Sequence, residues 1–332
     1  MKKIVDIRQL SVKSIFRLFD ALILPVSSYG CQVWLQHSTL FKLVANGNLH
    51  RDPINSLRKI SSDPIERIHL KFLKWTLSVH SKSSNIACWG DSGRPPLIIQ
   101  LIKQTFDYYR RLQALDLSNS DSLVRHAFVE QKDTMLPWYS NCVNFIENIG
   151  LSNDASSSQI REKLRELFHD IWMDAARSST KLMFYTKVKS TIGYEPYLNI
   201  KDVSKRRAVA KLRSSSHQLN VETGRYTNIK LSSNQDTRIW NKCCRSCSNG
   251  EVESLISLPF TTPHIIEDEH HVLVSCPRYH HIRHKVSDDI KSALMTWENT
   301  RIAEMFDERH VKEFATYVLN IFNTRFPKKC TG

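Results

Sequence analysis

Four residues with metal-ligand chemistry lie in two short pairs near the carboxyl end of this chain, and they restrict its fold more than any other feature. Cys244 and Cys247 form a C-x2-C pair, and His271 and Cys276 form an H-x4-C pair. These short gaps let both members of a pair reach one ion, and three thiolates with one imidazole complete a tetrahedral Cys3His set. Four protein ligands leave no open position, so the spacing predicts one structural Zn²⁺ per chain.

The sequence leaves the choice of ligands open. Cys243, His264 and His270 are alternatives to the residues above, and 23 residues (248–270) separate the two pairs. A catalytic zinc would use a different set, namely His264, Glu267 and His271, with Glu269 as the base. That set does not have the H-E-x-x-H spacing of a zinc hydrolase, so a structural site is favoured.

Composition excludes several classes of protein. The chain has only nine glycines in 332 residues, and it contains neither G-x-G-x-x-G nor a P-loop motif, which argues against a nucleotide cradle or another small-molecule substrate site. The longest strongly apolar run, residues 21–26, is far shorter than a membrane span. The eight cysteines lack the spacing of a disulfide scaffold. A soluble intracellular protein, nuclear or cytoplasmic, is therefore expected.

Positive charge is concentrated in one region. The net charge is +14. Residues 181–213 carry nine basic and two acidic side chains, so this segment has a net charge of +7, half of the total. Aromatic residues are interleaved with these cations, as in surfaces that bind single-stranded nucleic acid. The predicted phosphate-contacting residues are Lys187, Lys189, Lys205, Arg206, Arg207, Lys211, Arg213 and Arg225. The alternative is that this run is only the solvated face of a helix.

Periodicity predicts a mainly α-helical chain, made of multi-helical segments with a small Cys3His zinc-binding subdomain near the carboxyl end. Helix starts are indicated at Pro64, with Asp63 as its cap and Glu66 in a capping box, and at Pro96. An amphipathic helix is expected over residues 160–175, and a last helix over 312–326. The expected organisation is a thumb-like segment at 1–40, helical regions at 62–150 and 158–230, a zinc-knuckle-like region with an inserted loop at 238–285, and terminal helices at 286–332.

Several stretches together resemble the carboxy-terminal region of non-LTR (LINE-type) retrotransposon reverse transcriptases. They occur in the order found in that family, at residues 18–34, 64–74, 84–97 and 219–226. The family's zinc knuckle ends in Glu-Asp-Glu-x-His, which is followed by any four residues and then by Cys-Pro. Here this pattern corresponds to Glu267, Asp268, Glu269, His271, Cys276 and Pro277. The resemblance implies that Cys244, Cys247, His271 and Cys276 are the family's zinc ligands.

The polymerase part of that family has no counterpart in this sequence. The family is an RNA-directed DNA polymerase with a Tyr/Phe-x-Asp-Asp metal site, whereas the only Asp-Asp pair here is Asp288-Asp289, in a predicted helix beyond the zinc motif. The sequence therefore predicts a non-catalytic module that binds RNA or single-stranded DNA. The alternatives are a helical interaction scaffold with a structural zinc, and a retroelement remnant without function.

Overall fold

The computed structural model describes residues 10–117, 121–225, 242–244, 246–247 and 265–326. The predicted mainly α-helical class is confirmed: within these ranges the secondary structure is helical, and extended pairing is limited to two isolated antiparallel bridges, Ser92 with Tyr194 and Cys243 with Ile266. The chain forms two compact units, each assembled from segments that are separate in sequence.

The first unit comprises Met1–Thr76, Cys88–Ser179 and Thr191–Tyr194. Its helices are α1 (Val12–Leu22), α2 (Leu24–Ser28), α3 (Cys31–Trp34), α4 (Thr39–Ala45), α5 (Pro53–Ser62), α6 (Pro64–Leu77), α7 (Asn85–Ser92), α8 (Leu97–Leu117), α9 (Leu123–Asp133), α10 (Pro137–Asn148) and α11 (Ser157–Ser178), with a 3₁₀ turn at Leu35–His37. The last residue of α6 and the first turn of α7 belong to the second unit.

The core of the first unit lies between α8 and its neighbours. The predicted amphipathic helix is confirmed as α11, which starts with a capping box between Ser156 and Gln159 and packs along α8. Phe106 of α8 is fully buried against Phe145 of α10 and Phe41 of α4, with ring centroids 5.3 and 6.3 Å away. The buried aromatic residues of α4, α8 and α10 therefore form one shared core.

Glu66 has a different role from the predicted capping box. Helix α6 does begin at Pro64, but the Glu66 side chain is completely buried. Its carboxylate accepts hydrogen bonds from Trp89 Nε1 and the backbone N–H of Leu97, both at 2.8 Å, and lies 2.9 Å from His69 Nδ1. A buried carboxylate requires such partners, so Glu66 joins α6 to α7 and α8 instead of capping its own helix.

The most apolar run of the sequence is divided between two helices. Pro25 lies in the first turn of α2, where its missing N–H costs no hydrogen bond, and the chain turns between α1 and α2. Throughout the described ranges, no helix is both long and apolar enough to cross a membrane.

The second unit comprises Leu77–Ala87, Thr180–Ser190 and Glu195–Gly332. Its helices are α12 (Met183–Val188), α13 (Val203–Arg213), α14 (Asn220–Thr223), α15 (His280–Arg283), α16 (Asp288–Thr296), α17 (Asn299–Glu304) and α18 (Val311–Arg325), with 3₁₀ turns at Pro196–Asn199 and Pro277–Tyr279 and a π-helical turn at His271–Ser275. The predicted last helix is confirmed as α18, which packs against α13, α15 and the π-helical turn.

Candidate metal centre and basic surface

The structure brings the four predicted metal ligands together. The thiol sulfurs of Cys244, Cys247 and Cys276 and a ring nitrogen of His271 all lie within 4.8 Å of one another. Cys247 Sγ is 3.4 Å from His271 Nε2 and 3.6 Å from Cys276 Sγ, which is 4.0 Å from Cys244 Sγ. Zinc–ligand bonds of about 2.1–2.3 Å imply tetrahedral edges of roughly 3.5–3.8 Å. This Cys3His cluster can therefore hold a zinc-sized ion.

Short backbone pairing positions the first two ligands. The N–H of Cys244 donates to the carbonyl of Ile265 at 2.8 Å, and the N–H of Glu267 donates to the carbonyl of Lys242 at the same distance. The N–H of Cys247 then turns back to the carbonyl of Cys244 at 3.2 Å. The C-x2-C pair thus sits on a tight turn fixed to the segment that leads into His271.

A π-helical turn positions the other two ligands. In an α-helix, residues five apart point about 140° away from each other, so H-x4-C would place its ligands on different faces. Here the N–H of Cys276 donates to the carbonyl of His271 at 2.7 Å, which is the i to i+5 bond of a π-helix. This wider turn brings His271 and Cys276 to one side. Ser275 Oγ lies 3.2 Å from His271 Nδ1 and leaves Nε2 directed at the thiols.

The alternative ligands lie elsewhere. Cys243 is buried outside the Cys3His cluster, and its carbonyl accepts a hydrogen bond from Asn220 Nδ2 at 2.7 Å. The ring of His270 lies 4.6 Å, between centroids, from that of Trp297. His264 and most of the inserted loop lie outside the described residues. Among the described residues, the geometry thus selects the ligand set that the spacing favoured.

The acidic residues of the Glu-Asp-Glu motif each support the cluster. Glu267 is almost fully buried, and its carboxylate accepts from Arg325 Nε at 2.7 Å and from the N–H of Asn220 at 2.9 Å. Asp268 accepts from the N–H of His271 at 2.7 Å. Glu269 Oε1 lies 2.9 Å from His217 Nε2. All three therefore hold the segment that carries His271.

Without a bound cation, the surroundings of Cys247 oppose its ionisation. Burial, together with the neighbouring Cys276 and Cys244 thiols, raises the pKa of the Cys247 thiol. A divalent ion supplies the positive charge that stabilises adjacent thiolates. For Glu269, burial opposes ionisation, but the hydrogen bond and charge of His217, together with hydrogen bonds from the backbone and Ser215, outweigh it and hold the pKa of that carboxyl below its ordinary value.

Sequence reasoning did not find the supporting residues Asn220, His217 and Arg325. In the sequence, the run 219–226 indicates only the family resemblance and no role at the metal centre. Its last residue, Tyr226, lies outside the described residues. The structure shows that this run begins against the metal segment, since the N–H of Val221 also donates to the Glu267 carbonyl at 3.2 Å. Nothing in the local sequence relates Arg325 to a carboxylate so far along the chain.

Three of the eight predicted phosphate contacts are wrong, because the structure places them in the interior. Arg213 is completely buried, with its guanidinium 4.6 Å from the Phe306 ring centroid and its NH2 3.2 Å from Glu195 Oε2. Lys189 is buried and bonded to the other oxygen of Glu195. Arg206 is buried and donates to the carbonyl of Ile200 at 2.8 Å. These cations satisfy buried acceptors.

The other five predicted contacts, Lys187, Lys205, Arg207, Lys211 and Arg225, are at least partly exposed. Arg207 and Lys211 lie one turn apart on the same side of α13, so they form one basic face. Lys187 Nζ instead lies 5.9 Å from the Trp297 ring centroid, and Arg225 is 3.2 Å from Glu222. The structure thus reduces the basic stripe to a face of two cations and more dispersed charges.

Asp288 and Asp289, the only adjacent aspartates, lie in the first turn of α16. The side chain of Asp288 is 97% exposed, and Lys291 lies 3.0 Å from it. Carboxylates in the first turn interact favourably with the positive end of the helix dipole and so stabilise the helix.

Comparisons with protein-family models, with curated proteins and with solved structures find no match to this chain.

Proposed function

We propose that this protein is a non-catalytic nucleic-acid-binding module with one structural zinc, equivalent to the carboxy-terminal part of a LINE-type reverse transcriptase. The observation that carries this proposal is that one helix, α18, contacts both the basic helix α13 and the π-helical turn of the metal centre. A folded zinc centre would therefore fix the scaffold that carries the basic face.

Contacts from α18 to the metal segment are specific. Tyr317 is buried, and its hydroxyl donates to the carbonyl of Leu273 in the π-helical turn. Arg325, in the last turn of α18, pairs with Glu267. On another side, α18 packs along α13 through the buried residues of both helices. The second unit thus links the Cys3His cluster to α13 through one element.

The face formed by Arg207 and Lys211 is suited to an anion. Burial lowers the pKa of Lys211, and the neighbouring Arg207 cation lowers it further. Like charges at this spacing oppose each other, by a few tenths of a kcal/mol on a helix. A phosphate that contacts both side chains would relieve this repulsion. Phosphate contacts carry no base information, so we expect weak sequence preference for RNA or single-stranded DNA.

The test is the retention of labelled single-stranded RNA and DNA by the full chain at increasing salt. With five partly exposed cations on phosphates, the log–log slope of affinity against salt should be about −3 to −4. The charge reversals Arg207→Glu and Lys211→Glu together should abolish most binding. Arg67→Glu with Lys71→Glu is the matched control, because these exposed residues have the same spacing on α6. No retention at low salt, or equal loss in both variants, would refute the proposal.

The family relationship and the lack of catalysis need separate tests. A primer-extension assay with the purified chain should give no synthesis above background, and measurable synthesis would contradict the non-catalytic part. An in-frame polymerase region upstream of this reading frame would support a retroelement origin.

A helical interaction scaffold is the second candidate. It is favoured by apolar side chains exposed on α2 and its neighbours, where Val26 is 78% and Tyr29 86% exposed. If the chain retains no nucleic acid at any salt concentration but still associates with another protein, the scaffold candidate is favoured.

A further inference from the structure

Two histidine side chains meet on the surface of the second unit, separate from the Cys3His cluster. His280 and His284 are both exposed, and their Nε2 atoms are 2.7 Å apart. The ring centroids are 4.2 Å apart, with the ring planes nearly perpendicular. Without a metal, an N–H of one imidazole donates to the nitrogen of the other. Two ring nitrogens thus converge on one point at the surface.

The local fold fixes this pair. The N–H of His284 donates to the carbonyl of His280 at 3.1 Å, so the two residues are one helical turn apart and share a face. Ile282, between them, is buried and anchors the turn on its other side. Tyr279, directly before the turn, is also buried. The convergence of the two rings therefore rests on an anchored backbone.

The separation of the nitrogens indicates which kind of ion fits. With metal–nitrogen bonds of about 2.0–2.1 Å, two nitrogens at a right angle are roughly 2.9 Å apart, whereas tetrahedral coordination requires about 3.3–3.4 Å. The observed 2.7 Å is closer to the right-angle value. Right angles between ligands are typical of the tetragonal and octahedral sites of Cu²⁺ and Ni²⁺.

We propose that His280 and His284 form a two-histidine chelate for a divalent transition metal of the Cu²⁺ and Ni²⁺ type. Over the described residues, the Cys3His cluster is the only group of three or more metal-ligating side chains close enough to share an ion. The chelate therefore leaves its remaining positions to water, which makes it an open, exchangeable site. It does not depend on the proposed nucleic-acid binding.

The test is a calorimetric titration with Ni²⁺ of the full chain loaded with one zinc per chain. We expect one Ni²⁺ per chain at this site, with the zinc content unchanged by metal analysis. His280→Ala or His284→Ala should weaken Ni²⁺ binding by at least about tenfold, because the second ligand of a chelate acts at a high effective concentration. His281→Ala is the matched control, since this exposed neighbour lies outside the pair, and it should bind as the unaltered chain does.

A spectroscopic measurement on the unaltered chain removes any ambiguity from misfolding. Ni²⁺ should broaden the ring-proton resonances of His280 and His284 first. Absence of this binding, an affinity in the His280→Ala and His284→Ala variants equal to that of the unaltered chain, or release of one zinc for each Ni²⁺ bound would overturn the assignment.

Discussion

The guanidinium of Arg325 forms a two-point ion pair with the carboxylate of Glu267, with Nε to Oε1 at 2.7 Å and NH2 to Oε2 at 3.0 Å. This pair joins the end of α18 to the segment that leads into the metal ligand His271. Arg325 NH2 also lies 3.3 Å from Asn220 Oδ1, so a third segment meets at the same point. The acidic motif therefore organises the fold around the metal centre.

Removing one partner of this pair should destabilise the second unit. Arg325→Met leaves a carboxylate that is only 3% exposed without its cation, and we expect a loss of about 2–4 kcal/mol in the free energy of unfolding. Zinc affinity should fall by roughly 10–100-fold, as for other residues that support metal ligands. Urea denaturation and zinc competition with a chelator measure the two effects. A double-mutant cycle with Glu267→Gln that shows no coupling would contradict this explanation.

Zinc retention should depend on Cys276 and not on Cys243. Cys276→Ser removes a thiol from the Cys3His cluster, so zinc bound there should be lost after mild chelation. Cys243→Ser is the matched control, because this neighbouring buried cysteine lies outside the cluster. Metal analysis of protein purified without chelator, before and after mild chelation, measures both. Zinc lost from the control but kept in Cys276→Ser would show that the ligand assignment is wrong.

The metal ligands were predictable because their chemistry is local. Each pair is close in sequence, and few residue types bind zinc, so spacing alone favoured the set that the structure assembles. The helix start at Pro64 was similarly visible, since a proline acts within one turn. The pairing of Arg325 with Glu267 had no such signal, because only the folded chain brings these residues together.

The basic stripe was only partly predictable, because net charge does not reveal which side of a helix faces the interior. On α13, Arg206 and Arg213 are seven residues apart and lie on the buried side, whereas Arg207 and Lys211 lie on the exposed side. The buried side also carries apolar residues, such as Val209 and Leu212. The seven-residue spacing was present in the sequence, but the carboxylate of Glu195 that receives Arg213 was not identifiable from it.

Loss of charge at Arg213 should mainly reduce stability, whereas loss of charge at Arg207 should mainly reduce nucleic-acid affinity. Arg213→Met leaves Glu195 with one fewer cation in a buried site, and we expect a loss of about 3 kcal/mol or more in unfolding free energy. Arg207→Gln removes an exposed charge and should change stability by less than about 0.5 kcal/mol. Among variants that remain folded, Arg207→Gln should weaken nucleic-acid binding more than Arg213→Met does. Equal destabilisation in urea would contradict the burial described for α13.

Lys211→Gln should increase stability slightly, and the gain should depend on pH. The folded-state pKa of Lys211 lies below its ordinary value of 10.5, because burial and Arg207 both oppose its charge. The charged form therefore destabilises the folded state below the folded-state pKa, and the penalty disappears as the pH rises past 10.5. We expect a gain of about 0.2–0.5 kcal/mol at pH 7 that vanishes above that range. A gain that is constant with pH, measured by denaturation, would contradict this origin.

Cys88 and Cys142 should resist thiol reagents in the folded protein. Both side chains are fully buried, and burial raises the pKa of each thiol to about 12. The thiolate is the reactive form, and the raised pKa leaves almost none of either thiol ionised at pH 8. A colorimetric thiol assay should therefore detect neither residue until denaturant is added, including after a chelator has removed zinc. The matched variants Cys88→Ala and Cys142→Ala identify the two signals, and rapid labelling of either residue in the native state would show that the core of the first unit is open.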